Sequence, residues 1–267
     1  MEKKKKETAV VYSQKETAQG IFDMWIETPL AGNAHPGQFI SIYPKNEATL
    51  LPRPISICEV DEKKERLRVV YRIAGQGTRE FSSYEQGDSI SILGILGNGF
   101  PLEAAEGKNV FLMGGGIGIP PMVQLAKELA AANREAGRDN SNIKIILGYR
   151  SELFLHEDLM QYGQVYIATE DGSKGSKGTV MDAIEDNRLK GDVIFSCGPM
   201  PMLRAIKRYA AENGMTAYLS LEERMACGVG ACLGCVCKTK EVDHHSFVHN
   251  ARVCTDGPVY LAEEVDI

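Results

Sequence analysis

Five of the seven cysteines in this 267-residue chain fall between Cys227 and Cys254. Four of them are spaced Cys227-x4-Cys232-x2-Cys235, with eighteen residues between Cys235 and Cys254. That spacing is the one by which plant-type [2Fe–2S] clusters are held. Four thiolates must converge on two irons, and Gly228, Gly230 and Gly234 between them let the loop close tightly while leaving backbone N–H groups free to reach sulfur. A zinc reading competes: Cys232-x2-Cys235 followed by His245-x3-His249 imitates a finger, but only nine residues intervene and Cys227 and Cys254 go unexplained. A third reading makes the cysteines inert core thiols. Cys237 is surplus to the four and is taken as a non-ligand, with substitution for Cys235 as the alternative. His244, His245 and His249 are taken as a polar loop.

Two glycine-rich turns suggest a second chemistry. Gly114-Gly115-Gly116-Ile117-Gly118-Ile119-Pro120-Pro121 follows a short apolar run and opens a helical pattern. Small residues there allow close approach of a pyrophosphate to the N–H groups and dipole of a helix start, and proline suits a first helical turn. The Gly-x-Gly-x-x-Gly fingerprint is not met, because Ile119 occupies the place of its third glycine. Cys197-Gly198-Pro199-Met200 also follows a strand and opens a helix, so both turns are expected at the carboxyl edge of one sheet, where open α/β folds bind ligands. Cys197 is read as a buried small thiol, with a catalytic role beside a nicotinamide as the alternative.

The elements that must position these residues fall into three regions. Leu67, Val69, Tyr71 and Ile73 alternate with Arg68, Val70 and Arg72, a period of two that predicts a half-buried strand. Gln38–Tyr43 and Ser89–Leu93 read likewise, each after a turn signal, so residues 1–103 are expected to form a small antiparallel β-barrel domain. Over 104–216, strand candidates at 109–113, 143–147, 165–168 and 193–196 alternate with helical stretches. One helix carries Met122, Leu125, Ala126 and Leu129 and stops at Gly137; another carries Met202, Leu203, Ile206 and Tyr209 and stops near Gly214. This pattern predicts a doubly wound parallel sheet. Residues 217–267 fit neither pattern and are too poor in apolar area to fold unaided, which makes a metal staple reasonable. The whole is an α+β multidomain chain.

Composition narrows the function. With 43% hydrophobic and 25% charged residues and a net charge of −6, real cores are affordable and nucleic acid is an unsuitable partner. The one basic run, Lys3 to Lys6, is expected to be a solvated end. No apolar stretch approaches the about 20 residues that span a bilayer, and no secretory signal is evident, so a cytoplasmic, membrane-free protein is expected.

Together these motifs resemble the ferredoxin–NADP reductase superfamily. Arg53-Pro54-Ile55-Ser56 is similar to its flavin signature, Gly114 to Pro121 to its nicotinamide-dinucleotide loop, and Cys197-Gly198-Pro199 to its nicotinamide-side turn. Glu222-Glu223-Arg224-Met225-Ala226-Cys227 and Val253-Cys254-Thr255-Asp256-Gly257-Pro258-Val259 narrow the resemblance to the electron-transfer subunits of type B dihydroorotate dehydrogenases, over essentially the whole chain. The resemblance implies that Arg53, Pro54, Ile55, Ser56, Val70, Tyr71, Arg72, Gly77 and Thr78 bind FAD. It implies that Gly114, Gly115, Gly116, Gly118, Pro120, Cys197, Gly198 and Pro199 bind NAD, and that Cys227, Cys232, Cys235 and Cys254 ligate the cluster. It further implies an FMN-containing catalytic partner in a two-plus-two heterotetramer of pyrimidine biosynthesis. That partner oxidises dihydroorotate, and its electrons pass through the [2Fe–2S] cluster and FAD to NAD+. The alternatives are an NAD(P)H:acceptor reductase subunit of the sulfide dehydrogenase or ferredoxin–NADP reductase type and, from another class, a zinc-stapled protein-binding module. Glu170 and Asp171 argue against a 2′-phosphate on the dinucleotide and Arg150 for one, which leaves NAD over NADP open.

Overall fold

The computed structural model describes residues 5–243 and 247–267. Six antiparallel strands close a barrel: β1 (Lys5–Ala18), β2 (Ile21–Glu27), β3 (Phe39–Tyr43), β4 (Arg53–Val60), β5 (Arg66–Arg72) and β6 (Ser89–Leu96), in the order β1-β2-β5-β4-β3-β6. The short helix α1 (Gln76–Phe81) plugs one end with Phe81. The inward faces supply Val11, Met24, Ile26, Ile40, Ile42, Ile57, Leu67, Val69 and Tyr71, a single apolar interior. Lys5 and Lys6 open β1, their backbone paired with Gly94 and Leu93, because closing the barrel requires β1 to run the length of β6, and Lys6 is exposed. Lys3 and Lys4 lie outside the described residues.

Seven strands form the second layer: β7 (Val110–Gly115), β8 (Ile143–Tyr149), β9 (Gln164–Thr169), β10 (Ser176–Lys177), β11 (Val193–Cys197), β12 (Thr216–Ser220) and, far along the chain, β15 (Val259–Leu261). Their order is β10-β9-β8-β7-β11-β12-β15, parallel except for β15, which runs antiparallel to β12. Helices α2 (Pro121–Glu135), α3 (His156–Met160), α4 (Val180–Asp186) and α5 (Met200–Asn213) connect the strands. α2 buries Met122, Leu125, Ala126 and Leu129 and is followed by Gly137 at φ +67°, while Gly214 caps α5 at φ +64°. Left-handed backbone of this kind costs glycine nothing.

The remaining chain carries a two-stranded hairpin, β13 (Val236–Lys238) and β14 (Asn250–Arg252). It is tied to the rest at both ends. Asn98 accepts from the Val259 N–H at 3.2 Å and donates to the Asp256 carbonyl at 3.0 Å, and its own N–H donates to the Gly257 carbonyl at 2.7 Å. The last residues cross back over α5, where Lys207 donates to the Val265 carbonyl.

Thr216 opens β12, and Glu103 lies in the 3-10 turn Leu102–Ala105. One expectation changes. β5 is buried on both faces, not one: Arg68 is 7% and Val70 3% exposed. The reason is the joint between barrel and sheet. Arg68 Nε and Nη2 meet both oxygens of the buried Asp23 at 3.0 and 2.8 Å, while Nη1 reaches Glu59 at 3.1 Å and Asp158, on α3, at 2.5 Å. Lys127 of α2 completes the cluster by donating to Glu59 at 2.9 Å. Burial alone would lower the Arg68 pKa, but these hydrogen bonds hold its charge firmly. No helix among the described residues is long and apolar enough to cross a membrane.

Candidate functional site

The barrel has a split. Registered pairs between β4 and β5 run only from Val60–Leu67 to Ile57–Val69. Beyond them, Arg53 to Ser56 pair with β3, and Val70 to Arg72 with β2. Two stretches of backbone therefore diverge at the rim. Arg53, Pro54, Ile55 and Ser56 are all half-buried, whereas Ile57 and Cys58 next to them are covered completely. The turn before α1 borders this split. An ideal Cβ on Gly77 would stand 2.8 Å from Arg53 Nε, so the guanidinium passes where any side chain would stand. Thr78 Oγ1 accepts from the N–H groups of Ala74 and Gly75 at 2.8 and 3.2 Å and so fixes the turn. Tyr71 is turned into the barrel, its hydroxyl donating to Gln14 at 2.8 Å, and Val70 packs into the joint; both present only backbone at the rim.

Arg72 leads from the split to the sheet, because a Cβ on Gly116 would lie 3.6 Å from its Nη2. Gly114 and Gly115 end β7, Gly116 to Gly118 form a 3-10 turn with Gly116 at φ +53°, and Pro120 and Pro121 start α2. Cys197 pairs in register with Gly114. Gly118 sits so close to the Cys197 carbonyl, and Gly198 and Gly115 so close to Met202, that a Cβ at any of these positions would collide. The two glycine turns thus form one surface at the carboxyl edge. Burial pushes the Cys197 thiol up to about 12, against a hydrogen bond with Ser220 that lowers it. Arg150 and Asp171 follow β8 and β9 on the same edge, and Ser173 donates through N–H (3.0 Å) and hydroxyl (2.7 Å) to Asp171, which lowers its carboxyl pKa.

The four cysteines of the spacing motif resolve into two neighbouring pairs, Cys227 beside Cys232 and Cys235 beside Cys254. Backbone N–H groups are aimed at the sulfurs: Val229 and Cys232 at Cys227 Sγ (both 3.4 Å), Gly230 at Cys254 Sγ (3.2 Å) and Gly234 at Cys232 Sγ (3.4 Å). Burial would raise the Cys227 thiol, but these donors outweigh it and bring it down to about 7. Cys254, buried and beside Cys235, rises to about 12. Two pairs of thiols under N–H donors suit two irons with two thiolates each. No group of three ligand-type side chains among the described residues is placed to hold a single ion. Cys237 is buried beside Tyr260. His249 Nδ1 is paired with the Lys240 carbonyl at 2.9 Å, while His244 and His245 lie outside the described residues.

The cluster loop rests on the barrel. A Cβ on Gly228 would be 3.2 Å from Leu96 and 3.4 Å from Ser41 Oγ, and Ser41 is the ladder partner of Pro54 at the split.

Residues 222–266 match the family model of the iron–sulfur cluster binding domain of dihydroorotate dehydrogenase B, and residues 112–208 that of the oxidoreductase NAD-binding domain. Over 97% of its length the chain is 42% identical to the dihydroorotate dehydrogenase B (NAD(+)) electron transfer subunit of Bacillus cereus strain B4264, covering 98% of that protein. The chain belongs to this family. A Bacillus anthracis relative of the same description is 41% identical over the same share of this chain. Among solved structures, an NADH-dependent reduced ferredoxin-NADP oxidoreductase studied for flavin-based electron bifurcation superposes with a TM-score of 0.81. It is 29% identical, with 97% of this chain and 89% of that one covered. A Neisseria gonorrhoeae ferredoxin NADP+ reductase shares the fold at TM-score 0.65 and 17% identity, with 79% and 92% covered. As a dihydroorotate dehydrogenase B electron transfer subunit, the chain is an oxidoreductase subunit with an iron–sulfur domain and an NAD-binding domain. The zinc reading is thereby overturned: the family model that residues 222–266 match is an iron–sulfur cluster binding domain.

Several residues that matter in the electron transfer subunit were not singled out from sequence. Ser41 and Leu96 seat the cluster loop, Asn98 clamps the C-terminal turn, and Ser220 bonds Cys197. All lie far from their partners along the chain. Only the Asn98 position carried a local signal, between Gly97 and Gly99 in a turn-rich stretch.

Proposed function

We propose that this subunit accepts electrons from an FMN-bearing dihydroorotate dehydrogenase subunit in a cytoplasmic two-plus-two complex and delivers them to NAD+. The observation that carries this reading is contiguity. The cluster loop touches Ser41, Ser41 neighbours Pro54 on the split barrel, and Arg72 spans from the split to Gly116, with the Cys197 turn immediately behind. When bound, the [2Fe–2S] cluster supplies one-electron exchange, and FAD couples two such events to hydride exchange with NAD.

The chain's own residues supply placement. Cys227, Cys232, Cys235 and Cys254 would hold the cluster, under the N–H groups of Val229, Gly230, Cys232 and Gly234. Arg53 and Arg72 offer charge-assisted hydrogen bonds to the FAD pyrophosphate. Thr78 and Gly77 shape the turn over which the cofactor lies, and Pro54, Ile55 and Ser56 with the backbone of Val70 and Tyr71 form the rim for its flat ring. Gly114, Gly115, Gly116, Gly118, Pro120, Gly198 and Pro199 let the dinucleotide approach the backbone, with Cys197 packed as a neutral thiol beneath. Asp171, held ionised by Ser173, disfavours a 2′-phosphate and supports NAD over NADP. The three functions divide at about residues 103 and 216, with β12 and β15 stitching the cluster region to the NAD sheet. Pyrimidine oxidation belongs to the partner, because a phosphate-binding β/α barrel takes about 250 residues.

Anaerobic absorbance and EPR of the purified chain, with assays of NADH-driven dye reduction and of dihydroorotate oxidation, test the division of labour. Flavin and iron–sulfur signals with dye reduction alone are expected. Robust dihydroorotate turnover without a second polypeptide overturns it.

A further inference from the structure

Arg252 and Asp256 form the most closely knit charged pair beside the cysteines. Asp256 accepts from Arg252 three times: from the backbone N–H at 2.8 Å, from Nε at 3.0 Å and from Nη2 at 2.9 Å. The guanidinium is thereby fixed, and its third nitrogen points at the cluster loop: a Cβ on Gly230 would stand 3.3 Å from Arg252 Nη1, with Thr255 Oγ1 at 3.2 Å. Gly230, at φ +79°, is the residue whose N–H donates to Cys254 Sγ at 3.2 Å.

We infer that Arg252 is a positioning residue for electron transfer: clamped by Asp256, it holds the Gly230 N–H on Cys254 and places a fixed positive charge that sets the reduction potential of the cluster. This rests on the reading that Cys227, Cys232, Cys235 and Cys254 hold a [2Fe–2S] cluster. Adding an electron to the cluster adds negative charge, so a nearby guanidinium favours the reduced form and a nearby carboxylate disfavours it. Asp256 tempers the effect by neutralising part of the arginine. The two side chains therefore act with opposite sign on one observable.

EPR-monitored redox titration of the full chain, with iron content measured alongside, tests this on wild type, Arg252→Gln, Arg252→Lys and Asp256→Asn. Arg252→Gln removes the cation and leaves Asp256 bare, so its midpoint falls below wild type. Asp256→Asn keeps the shape and a hydrogen-bonding oxygen but unmasks the cation, so its midpoint rises. Arg252→Lys retains charge without the fork and stays nearer to wild type than Arg252→Gln. If Arg252→Gln fails to keep iron, the rise in Asp256→Asn decides alone. Shifts of the same sign in both variants, or an unmoved midpoint in Asp256→Asn, overturn the inference while leaving the cluster assignment standing. An absent reduced-cluster signal in wild type overturns both.

Discussion

The barrel and the cluster region are held together by different means. The barrel closes six strands around an interior of buried Val, Ile, Met, Leu, Tyr and Phe, so every strand edge but the split is paired. The stretch from Glu222 to Asp256 has a two-stranded hairpin, with Val229, Leu233, Val242 and Phe247 exposed. Its interior consists largely of what it shares with the NAD sheet and the barrel: Cys235, Cys237, Val253 and Cys254 lie in the same apolar cluster as Leu93, Leu96, Met113 and Leu219. A closed barrel derives its stability from burial, whereas a small loop-rich lobe needs a staple and a platform. A second contrast sets the cluster loop against the sheet layer: Gly230 is crowded by Thr255 and Arg252, while Gly214 at the end of α5 has nothing within 4 Å of where a Cβ would be.

Removing iron is the strongest way to break this contrast. Anaerobic chelation is expected to raise amide exchange rates across residues 226–256 by at least about a hundredfold while the barrel strands keep their protection. Equal loss in both regions, by hydrogen-exchange mass spectrometry, would show that the lobe and barrel fold as one unit. Cys232→Ala should reproduce the effect, abolishing the cluster EPR signal with flavin absorbance retained.

Next in size is the joint. Arg68→Met strands the buried carboxylate of Asp23 and takes a partner from Glu59 and Asp158, and breaking a buried pair from one side costs about 3–5 kcal/mol. Denaturant melts should show that loss, and Arg68→Met with Asp23→Asn should recover part of it. Full stability in the single variant would mean that the joint is solvated.

A smaller effect separates the dinucleotide turn from the flavin split. Gly118→Ala drives a methyl into the Cys197 backbone, so NADH affinity is expected to fall roughly tenfold, about 1.4 kcal/mol, with the flavin spectrum unchanged. Titration calorimetry against absorbance decides it. The smallest effect sharpens the glycine contrast. Gly214→Ala has room but keeps φ +64°, and should cost only about 1 kcal/mol of thermal stability, whereas Gly230→Ala should lower iron content.

The amino-acid sequence by itself determined the local features. Cysteine spacing, the two glycine turns after apolar runs, the periods of two and of about 3.6, and the stops at Gly137 and Gly214 are all encoded within a few residues, and the corresponding strands and helices form where those patterns lie. β2, β4, β12 and β15 gave weaker local patterns, and a short strand such as Val259–Leu261 exists only because β12 offers it an edge. Tertiary structure alone decided what depends on distant partners. It buried Arg68, read from its neighbours as an outward-facing strand residue, because α2 and α3 cover that face with Lys127 and Asp158. It set Cys227 beside Cys232 and Cys235 beside Cys254, and laid Gly228 against Ser41 so that the cluster loop meets the split barrel. Spacing reports which side chains can reach a common point; only the closing of the barrel, the register of the sheet and the docking of the last fifty residues bring those points together.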